Sequence, residues 1–257
     1  MRYFIELSYL GAGYHGWQSQ PNAVSVQSAV EDALSLVLRE HVAITGAGRT
    51  DTGVNARVMY AHFDAGEIPP ENFPRLIAGL NKLSGNNIAI HRILPTADSA
   101  HARFDALSRT YKYFISFRKS AFTSMLAWRA PFPLDIDRMN EAAAELLHTD
   151  DFTSFAKLHS DSKTNICKVT HAGFEPWNSG FLAPGDEGAV FTITADRFLR
   201  NMVRAVVGTL VDVGRGKIDI EGFRRIISEK NRCKAGTSMP PQALYLWDIA
   251  YPQEIFI

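Results

Sequence analysis

The order in which two hydrophobic periodicities alternate constrains the fold more than any other feature of this sequence. Apolar residues recur at every second position in some stretches, as in half-buried strands, and at every third or fourth position in others, as in amphipathic helices. From the N terminus the stretches run strand, helix, strand, strand, helix, strand, and the same order recurs after Pro95. The sequence therefore predicts two copies of the split β-α-β unit, with no clear sequence repeat between them.

The predicted elements fill both copies. In the first copy we expect strands at 2–9, 42–47, 58–64 and 87–94, and helices at 26–39 (capped by Ser25) and 72–82. In the second copy we expect strands at 108–117, 166–175, 188–195 and 244–250, helices at 136–147 (capped by Asp135), 199–213 and 219–229, and loops at 118–134 and 156–165. The expected fold class is α/β (α+β). Two pseudo-symmetric, ferredoxin-like halves, 1–105 and 106–257, share a mixed, largely antiparallel sheet with helices on one side and a central cleft.

Composition narrows the class of protein further. The chain has 257 residues, with 27 Lys and Arg against 27 Asp and Glu, and its hydrophobic and charged fractions are those of ordinary globular proteins. No apolar run approaches the 18 or so residues of a membrane span, and the first seven residues alternate like a strand rather than a signal peptide. Two cysteines and no glycosylation sequon fit a cytoplasmic protein. The eight histidines are scattered, so no metal site is expected.

Positive charge is concentrated in two islands of a neutral chain. Residues 103–119 hold 5 basic and 1 acidic group, and residues 197–234 hold 10 basic and 4 acidic groups. The predicted loop 118–134 also interleaves basic with aromatic residues. These patterns suit contacts with a polyanion such as RNA, while solvated helix faces and an aromatic-anchored surface loop are the alternatives.

The Gly-rich stretch 46–56, between two predicted strands, is the strongest candidate for chemistry. Its start resembles a dinucleotide fingerprint, but Asp51 stands where a pyrophosphate turn needs glycine. Gly48 and Gly53 permit close approach of the backbone. The residues alone leave two roles open for Asp51, a capping residue in a turn or a carboxylate at the rim of a cleft, and the second role needs a cation nearby.

Arg204 is a candidate for that cation. Arg197, Arg200 and Arg204 are spaced to share one face of the predicted helix 199–213, and Gly208 near that face would permit a close approach. Arg197 fits solvent or phosphates better than a catalytic role. On the predicted strand 108–117, Tyr111 is either a residue that stacks on a base or an ordinary half-buried strand residue.

Six stretches together resemble the tRNA pseudouridine synthase A family. They are Tyr14-x-Gly16-Trp17-Gln18, Gly48-Arg49-Thr50-Asp51-x-Gly53-Val54, His101-Ala102-Arg103-Phe104, Ser108-Arg109-Thr110-Tyr111-x-Tyr113, Phe198-Leu199-x-x-Met202-Val203-Arg204-x-x-x-Gly208 and Pro240-Pro241-x-x-Leu244-Tyr245-Leu246. They follow the family's order from about residue 3 to residue 251. The resemblance implies the fold above. It also implies isomerisation of uridine to pseudouridine at positions 38, 39 and 40 of the tRNA anticodon stem-loop, by a homodimer that uses neither cofactor nor metal.

The resemblance also implies roles for individual residues. Asp51 would be the catalytic aspartate, Tyr111 would stack on the uracil and remove the C5 proton, and Arg204 would pair with Asp51. Leu244 would pack against the base, and Arg49 would hold the target nucleotide out of its stack. The substrate-binding residues would further include the following cations: Arg103, Arg109 and Arg200.

The chain departs from the family pattern around the expected site. Asn55 stands where the family usually has His, Ala243 stands where Gly is usual, and stretch 57–60 lacks the usual Gly-Gln-Val. Two rival functions remain at this stage: a non-catalytic RNA-binding protein on the same scaffold, and a nucleoside or glycoside hydrolase using Asp51. The second would need another carboxylate nearby, which no motif supplies.

Overall fold

The computed structural model describes residues 1–158, 163–178, 180 and 187–257. The chain forms two compact units. The first unit comprises Met1–Ser108 and Leu246–Ile257, and the second comprises Arg109–Tyr245. The division into repeat halves at 105/106 stays a prediction.

Strands and helices alternate along the chain. The strands are β1 (Arg2–Tyr9), β2 (Thr45–Gly46), β3 (Asn55–Asp64), β4 (Ile88–Thr96), β5 (Ser108–Ser116), β6 (Trp128–Arg129), β7 (Val169–Asn178), β8 (Glu187–Ala195) and β9 (Leu244–Ala250). The α-helices are α1 (Val26–Leu38), α2 (Phe73–Leu83), α3 (Ile136–Ala144), α4 (Met202–Gly214) and α5 (Ile220–Glu229). The predicted order of strand, helix, strand, strand, helix, strand is therefore confirmed in both copies, with the two-residue β6 and α5 as additions to the second.

In the first unit, β1 is the central strand of an antiparallel sheet. It pairs with β3 on one side, where Ile5 lies opposite Ala61, and with β4 on the other, where Ile5 lies opposite Ile93. β2 pairs antiparallel with β3, which also neighbours β9. α1 and α2 pack against each other, and α2 contacts β4.

Helix α1 is capped, as predicted, by Ser25. The Ser25 hydroxyl accepts a hydrogen bond from the Ser28 N–H at 3.0 Å, and the Ser28 hydroxyl accepts one from the Ser25 N–H at 3.2 Å. This reciprocal capping satisfies two N–H groups that have no partner inside the helix, and such a cap contributes about 1 kcal/mol. One helix face is buried through Val30 and Leu34, which orients α1 on the unit's core.

The second unit repeats the strand order of the first. β5 pairs antiparallel with β8, and β8 with β7, as β1 pairs with β3 and β3 with β2. α3 packs on α4 and β7, and α4 also contacts α5. Because the first, third and second strands are neighbours in both copies, the expected pseudo-symmetry is present in the strand order.

Several predicted elements differ from the observed ones. The expected strand 42–47 is reduced to the two residues of β2, and α3 ends at Ala144, followed by a tighter 3₁₀ turn over Glu145–His148. The expected loop 118–134 contains β6, which pairs in parallel with the end of β5. The expected loop 156–165 lies partly outside the described residues.

Candidate active site

The loop that carries Asp51 is fixed by the residue before it. Thr50 is buried, and its hydroxyl hydrogen-bonds to the Tyr9 hydroxyl at 2.8 Å, while its carbonyl accepts the Trp17 N–H at 3.2 Å. Asp51 itself is only partly buried. A carboxylate attached to an anchored main chain is held in place while it stays accessible to solvent or substrate.

Glycines let a second segment pack directly on this loop. A Cβ on Gly16 would lie 2.5 Å from the Thr50 carbonyl oxygen, and a Cβ on Gly11 would lie 2.3 Å from the Val54 carbonyl oxygen. Gly53 has a φ of +78°, a backbone conformation that is strained for residues with a side chain. The turn is closed by a hydrogen bond of 3.1 Å from the Val54 N–H to the Asp51 carbonyl. The expected close approach is found at Gly53, because a Cβ on Gly11 would lie 2.6 Å from the Gly53 carbonyl carbon, whereas a Cβ on Gly48 would have no neighbour within 4 Å.

Asn55, one of the departures from the family pattern, supports the same packing. It is 3% exposed, and its Oδ1 accepts the Gly11 N–H at 2.8 Å. Arg49 lies on the exposed side of the loop, where its Nε donates to Gln18 Oε1 at 3.1 Å. Arg49 is thus oriented by the same segment that contacts Thr50.

Tyr111 lies in the middle of β5 in the second unit, opposite Ile193 of β8. Its ring is partly buried and meets the Phe198 ring edge-on, with 4.9 Å between ring centroids. Tyr113, two positions along the strand, is wholly buried and donates its hydroxyl proton to the Pro240 carbonyl at 3.0 Å. Burial raises the pKa of Tyr113, so this phenol stays neutral and structural.

Arg204 is held by the backbone of segment 237–240. Its Nε donates to the Met239 carbonyl at 2.5 Å, and the Met239 N–H donates to the Arg204 carbonyl at 3.1 Å. The expected close approach at Gly208 is confirmed, because a Cβ there would lie 1.9 Å from the Thr237 carbonyl oxygen. Segment 237–240 therefore contacts both Arg204 of α4 and Tyr113 of β5.

The predicted arginine face of the helix is wrong. α4 begins at Met202, after Asn201 in the left-handed region with a φ of +67°, so Arg197 and Arg200 precede the helix. The left-handed residue turns the chain before the first helical turn, which separates Arg200 from the face that carries Arg204. Arg200 is exposed.

The remaining predicted binding residues lie on both units. Arg109 donates from Nη1 to the Asp196 carbonyl at 2.8 Å, and Arg103 is exposed over the ring of Phe104, 5.7 Å from its centroid. Leu244 is the first residue of β9 and is 5% exposed. Ala243, just before it, is fully buried.

Several cations of the 197–234 island have acidic partners. The ion pairs join Lys217 to Asp212, Arg224 to Glu145 and Lys230 to Asp151, at 2.8, 2.7 and 2.9 Å. The cations of these pairs are at least half exposed, and such surface pairs contribute little to stability. They nevertheless reduce the net charge that this part of the surface offers to a polyanion.

Sequence reasoning missed a histidine that holds the main chain next to Arg103. His62 of β3 is 7% exposed, and its Nδ1 accepts the Ala102 N–H at 3.1 Å. Burial lowers the pKa of His62 to about 4, so the ring is neutral and can accept this bond. Its ring lies 4.6 Å from that of His101. The signal was available, since His62 stands in a strand whose neighbours on either side are apolar.

The described residues limit two classes of site. Among them, no group of three His, Cys, Asp or Glu side chains could hold a metal ion. Within the same ranges, no helix is long and apolar enough to cross a membrane.

Pairing of Asp51 with Arg204 stays a prediction.

Comparison with known proteins places the chain in a family. A family model described as tRNA pseudouridine synthase matches residues 142–252. The tRNA pseudouridine synthase A of Parabacteroides distasonis is 52% identical, covering 99% of this chain and 98% of that protein. The proteins of the same name from Bacteroides fragilis and Porphyromonas gingivalis are 52% and 50% identical, covering 99% and 100% of this chain and 98% and 99% of theirs. The chain belongs to the tRNA pseudouridine synthase A family and is an isomerase of that family.

Proposed function

We propose that this enzyme isomerises uridine to pseudouridine in the tRNA anticodon stem-loop, at positions 38, 39 and 40, with Asp51 as the essential carboxylate. The observation that carries this proposal is the anchoring of the Asp51 loop. Thr50 is buried and hydrogen-bonded on both its side chain and its carbonyl, whereas Asp51 is only partly buried. We propose further that the enzyme acts in the cytoplasm as a homodimer, without cofactor or metal.

The reaction requires a held carboxylate because the base must be cut from the sugar and re-attached. The C–N glycosidic bond breaks, the uracil turns, and a bond forms between its C5 and the sugar C1′. The C5 proton is lost to a base, and N1, freed from the sugar, takes up a proton. The anionic Asp51 can attack the base, attack C1′ or accept the C2′ proton, and each route needs the ionised form. An anchored loop keeps the carboxylate at one place through all of these steps.

Tyr111 has the geometry of a stacking platform in this proposal. Its contact with Phe198 is edge-on at 4.9 Å, an arrangement that fixes the plane of the tyrosine ring. A uracil stacked on that ring can rotate in its own plane without leaving the site. The Tyr111 hydroxyl would then relay the C5 proton, taking it up as its own proton passes on, and Leu244 would supply the apolar contact opposite.

Arg204 would keep Asp51 charged. Its Nε is occupied by the Met239 carbonyl, which sets the direction of the side chain. A guanidinium has further N–H donors beyond Nε, and a carboxylate can accept two of them side by side. We therefore assign Arg204 as the partner of Asp51, and Arg49, Arg103, Arg109 and Arg200 as contacts of the RNA.

The decisive experiment compares acid substitutions by tritium release from tRNA that carries 5-tritiated uridine. Asp51→Asn should abolish turnover while the dissociation constant for tRNA stays within a few-fold of the wild-type value. Asp32→Asn, at an exposed position of α1, is the matched control and should retain full turnover. Substantial turnover by Asp51→Asn would refute the assignment, and free uracil among the products would indicate a hydrolase instead.

A second comparison isolates the phenol. Tyr111→Phe keeps the ring and its contact with Phe198 but removes the hydroxyl. The proposal predicts nearly unchanged tRNA binding and a large loss of turnover. Normal tritium release by Tyr111→Phe would show that another group takes the C5 proton.

A further inference from the structure

The segment 117–126, which follows β5, exposes three large apolar side chains. Phe122 and Met125 are 68% and 66% exposed, and Phe117 is 41% exposed. Large apolar side chains that cluster on a surface usually mark a contact with another molecule. The known activity does not by itself assign any role to these three residues.

Hydrogen bonds of buried groups hold the main chain of the segment in place. Thr123 is buried, and its carbonyl accepts the N–H groups of Leu126 and Ala127, both at 2.9 Å. The Leu126 carbonyl accepts the Tyr245 hydroxyl at 3.1 Å. Because Phe122 and Met125 flank these anchored residues, the main chain beneath both exposed side chains is ordered before any partner arrives, which lowers the entropy cost of binding.

The first residues of the segment are fixed in a similar way. The Phe117 N–H donates to the Glu187 carbonyl at 2.9 Å, and the Ser116 hydroxyl donates to the Arg118 carbonyl at 2.7 Å. These bonds leave the side chains of Arg118 and Lys119 exposed. Neither cation forms an ion pair with another of the described residues.

Charge around the segment favours an anionic partner. Residues 106–134 contain five Lys and Arg and no Asp or Glu, a run of 29 positions in a chain with equal numbers of both signs. Of these five cations, Lys112 pairs with Glu175 at 3.2 Å, whereas Arg118 and Lys119 of the segment are exposed. Exposed aromatic rings beside unpaired cations match the two faces that RNA offers, flat bases and phosphates.

We propose that segment 117–126 binds an unpaired nucleotide of the tRNA substrate. The base stacks on the Phe122 ring beside Met125, and Arg118 and Lys119 contact the flanking phosphates. The inference rests on tRNA being the substrate, and it adds a recognition surface that is separate from the residues assigned to the reaction. A second copy of this chain and an unrelated protein are the other possible occupants.

The test measures the dissociation constant for full-length tRNA across a series at position 122. Phe122→Ala should weaken binding about 5- to 150-fold, the loss expected for one base stacked on an aromatic ring. Phe122→Trp should bind as the wild type, whereas Phe122→Leu should resemble Phe122→Ala, because leucine keeps apolar area without a ring. Leu36→Ala, at an equally exposed position of α1, is the control and should leave binding unchanged.

Salt dependence separates the stacking from the phosphate contacts. The double variant Arg118→Gln with Lys119→Gln should lower the slope of the logarithm of affinity against the logarithm of salt concentration by about 2. Phe122→Ala should lower affinity at every salt concentration with the slope retained. Thermal unfolding of each variant checks that the fold is kept.

The outcomes distinguish this inference from the proposed function. Raised KM for tRNA at unchanged kcat in the Phe122→Ala enzyme supports it, and unchanged dissociation constant and KM overturn it. A change in molecular mass by light scattering in Phe122→Ala, with tRNA binding per chain intact, assigns the surface to self-association and also overturns it. Absence of tritium release by the wild-type enzyme would instead refute the proposed function, whatever the binding series gives.

Discussion

The hydrogen bond from Gly11 to Asn55 tests whether the Asp51 loop is held by the segment packed against it. In Asn55→Ala the buried Gly11 N–H loses its acceptor, which costs about 1–3 kcal/mol. At about 2–4 °C per kcal/mol for a chain of this size, the melting temperature should fall by about 2–12 °C. Turnover should fall with it, because Gly11 packs on the Val54 carbonyl at the end of the turn that carries Asp51.

Two variants make this prediction specific. Asn55→His places ring Nδ1 near the position of Asn55 Oδ1, so it should keep the bond and most of the stability and turnover. Asn87→Ala removes an exposed hydrogen bond of 3.3 Å to Ala12, next to Gly11, and should change stability by less than about 0.5 kcal/mol. Thermal unfolding and tritium release are measured on all three proteins. Wild-type behaviour of Asn55→Ala, or equal damage in Asn55→His, would refute the reasoning.

Three further predictions follow from the same contacts. Gly208→Ala should displace the Thr237 backbone and with it the Met239 carbonyl that orients Arg204, lowering turnover more than tenfold and stability by about 1–3 kcal/mol in urea unfolding. The pKa of His62 is about 4 in the folded protein and about 6.5 in the unfolded chain. The stability that neutral His62 contributes is therefore complete above pH 6.5 and is lost as the pH falls towards 4. In urea unfolding, His62→Gln should remove up to roughly 3 kcal/mol of the difference in unfolding free energy between pH 7 and pH 4. Wild-type tRNA affinity should fall steeply with salt, and a flat response in filter binding would contradict the predicted phosphate contacts.

Periodicity predicted most of the secondary structure because it reports burial on one face. β1 and the start of α1 at Ser25 were located to the residue, since an alternating run and a capping serine are local signals. β2 and β6 were not, because two-residue strands are defined by their partners and not by their own sequence. The start of α4 was misplaced because a left-handed Asn201 leaves no mark in hydrophobic spacing.

The sequence predicted which residues form the candidate site but not which contacts hold them in place. Asp51, Tyr111 and Arg204 were identified from motifs, but their supports were not. The support for Asp51 comes from Gly11 and Gly16, far upstream in sequence, and local patterns contain no information about which distant segment packs on a loop. A family resemblance predicts residue roles, which stay predictions, but it does not predict the contacts that hold those residues.

Asn55 shows why a departure from a family pattern need not weaken a site. Histidine and asparagine share one ability that matters at this position, a compact acceptor that can reach a backbone N–H from a buried strand. Asn55 uses that ability on Gly11, and no charge enters the bond. The position therefore selects for acceptor geometry, so substitutions should be tolerated according to where they place an acceptor and not according to their resemblance to histidine. Asn55→Lys, which offers only donors, should be the most damaging polar substitution, because it buries a charge against an N–H that needs an acceptor.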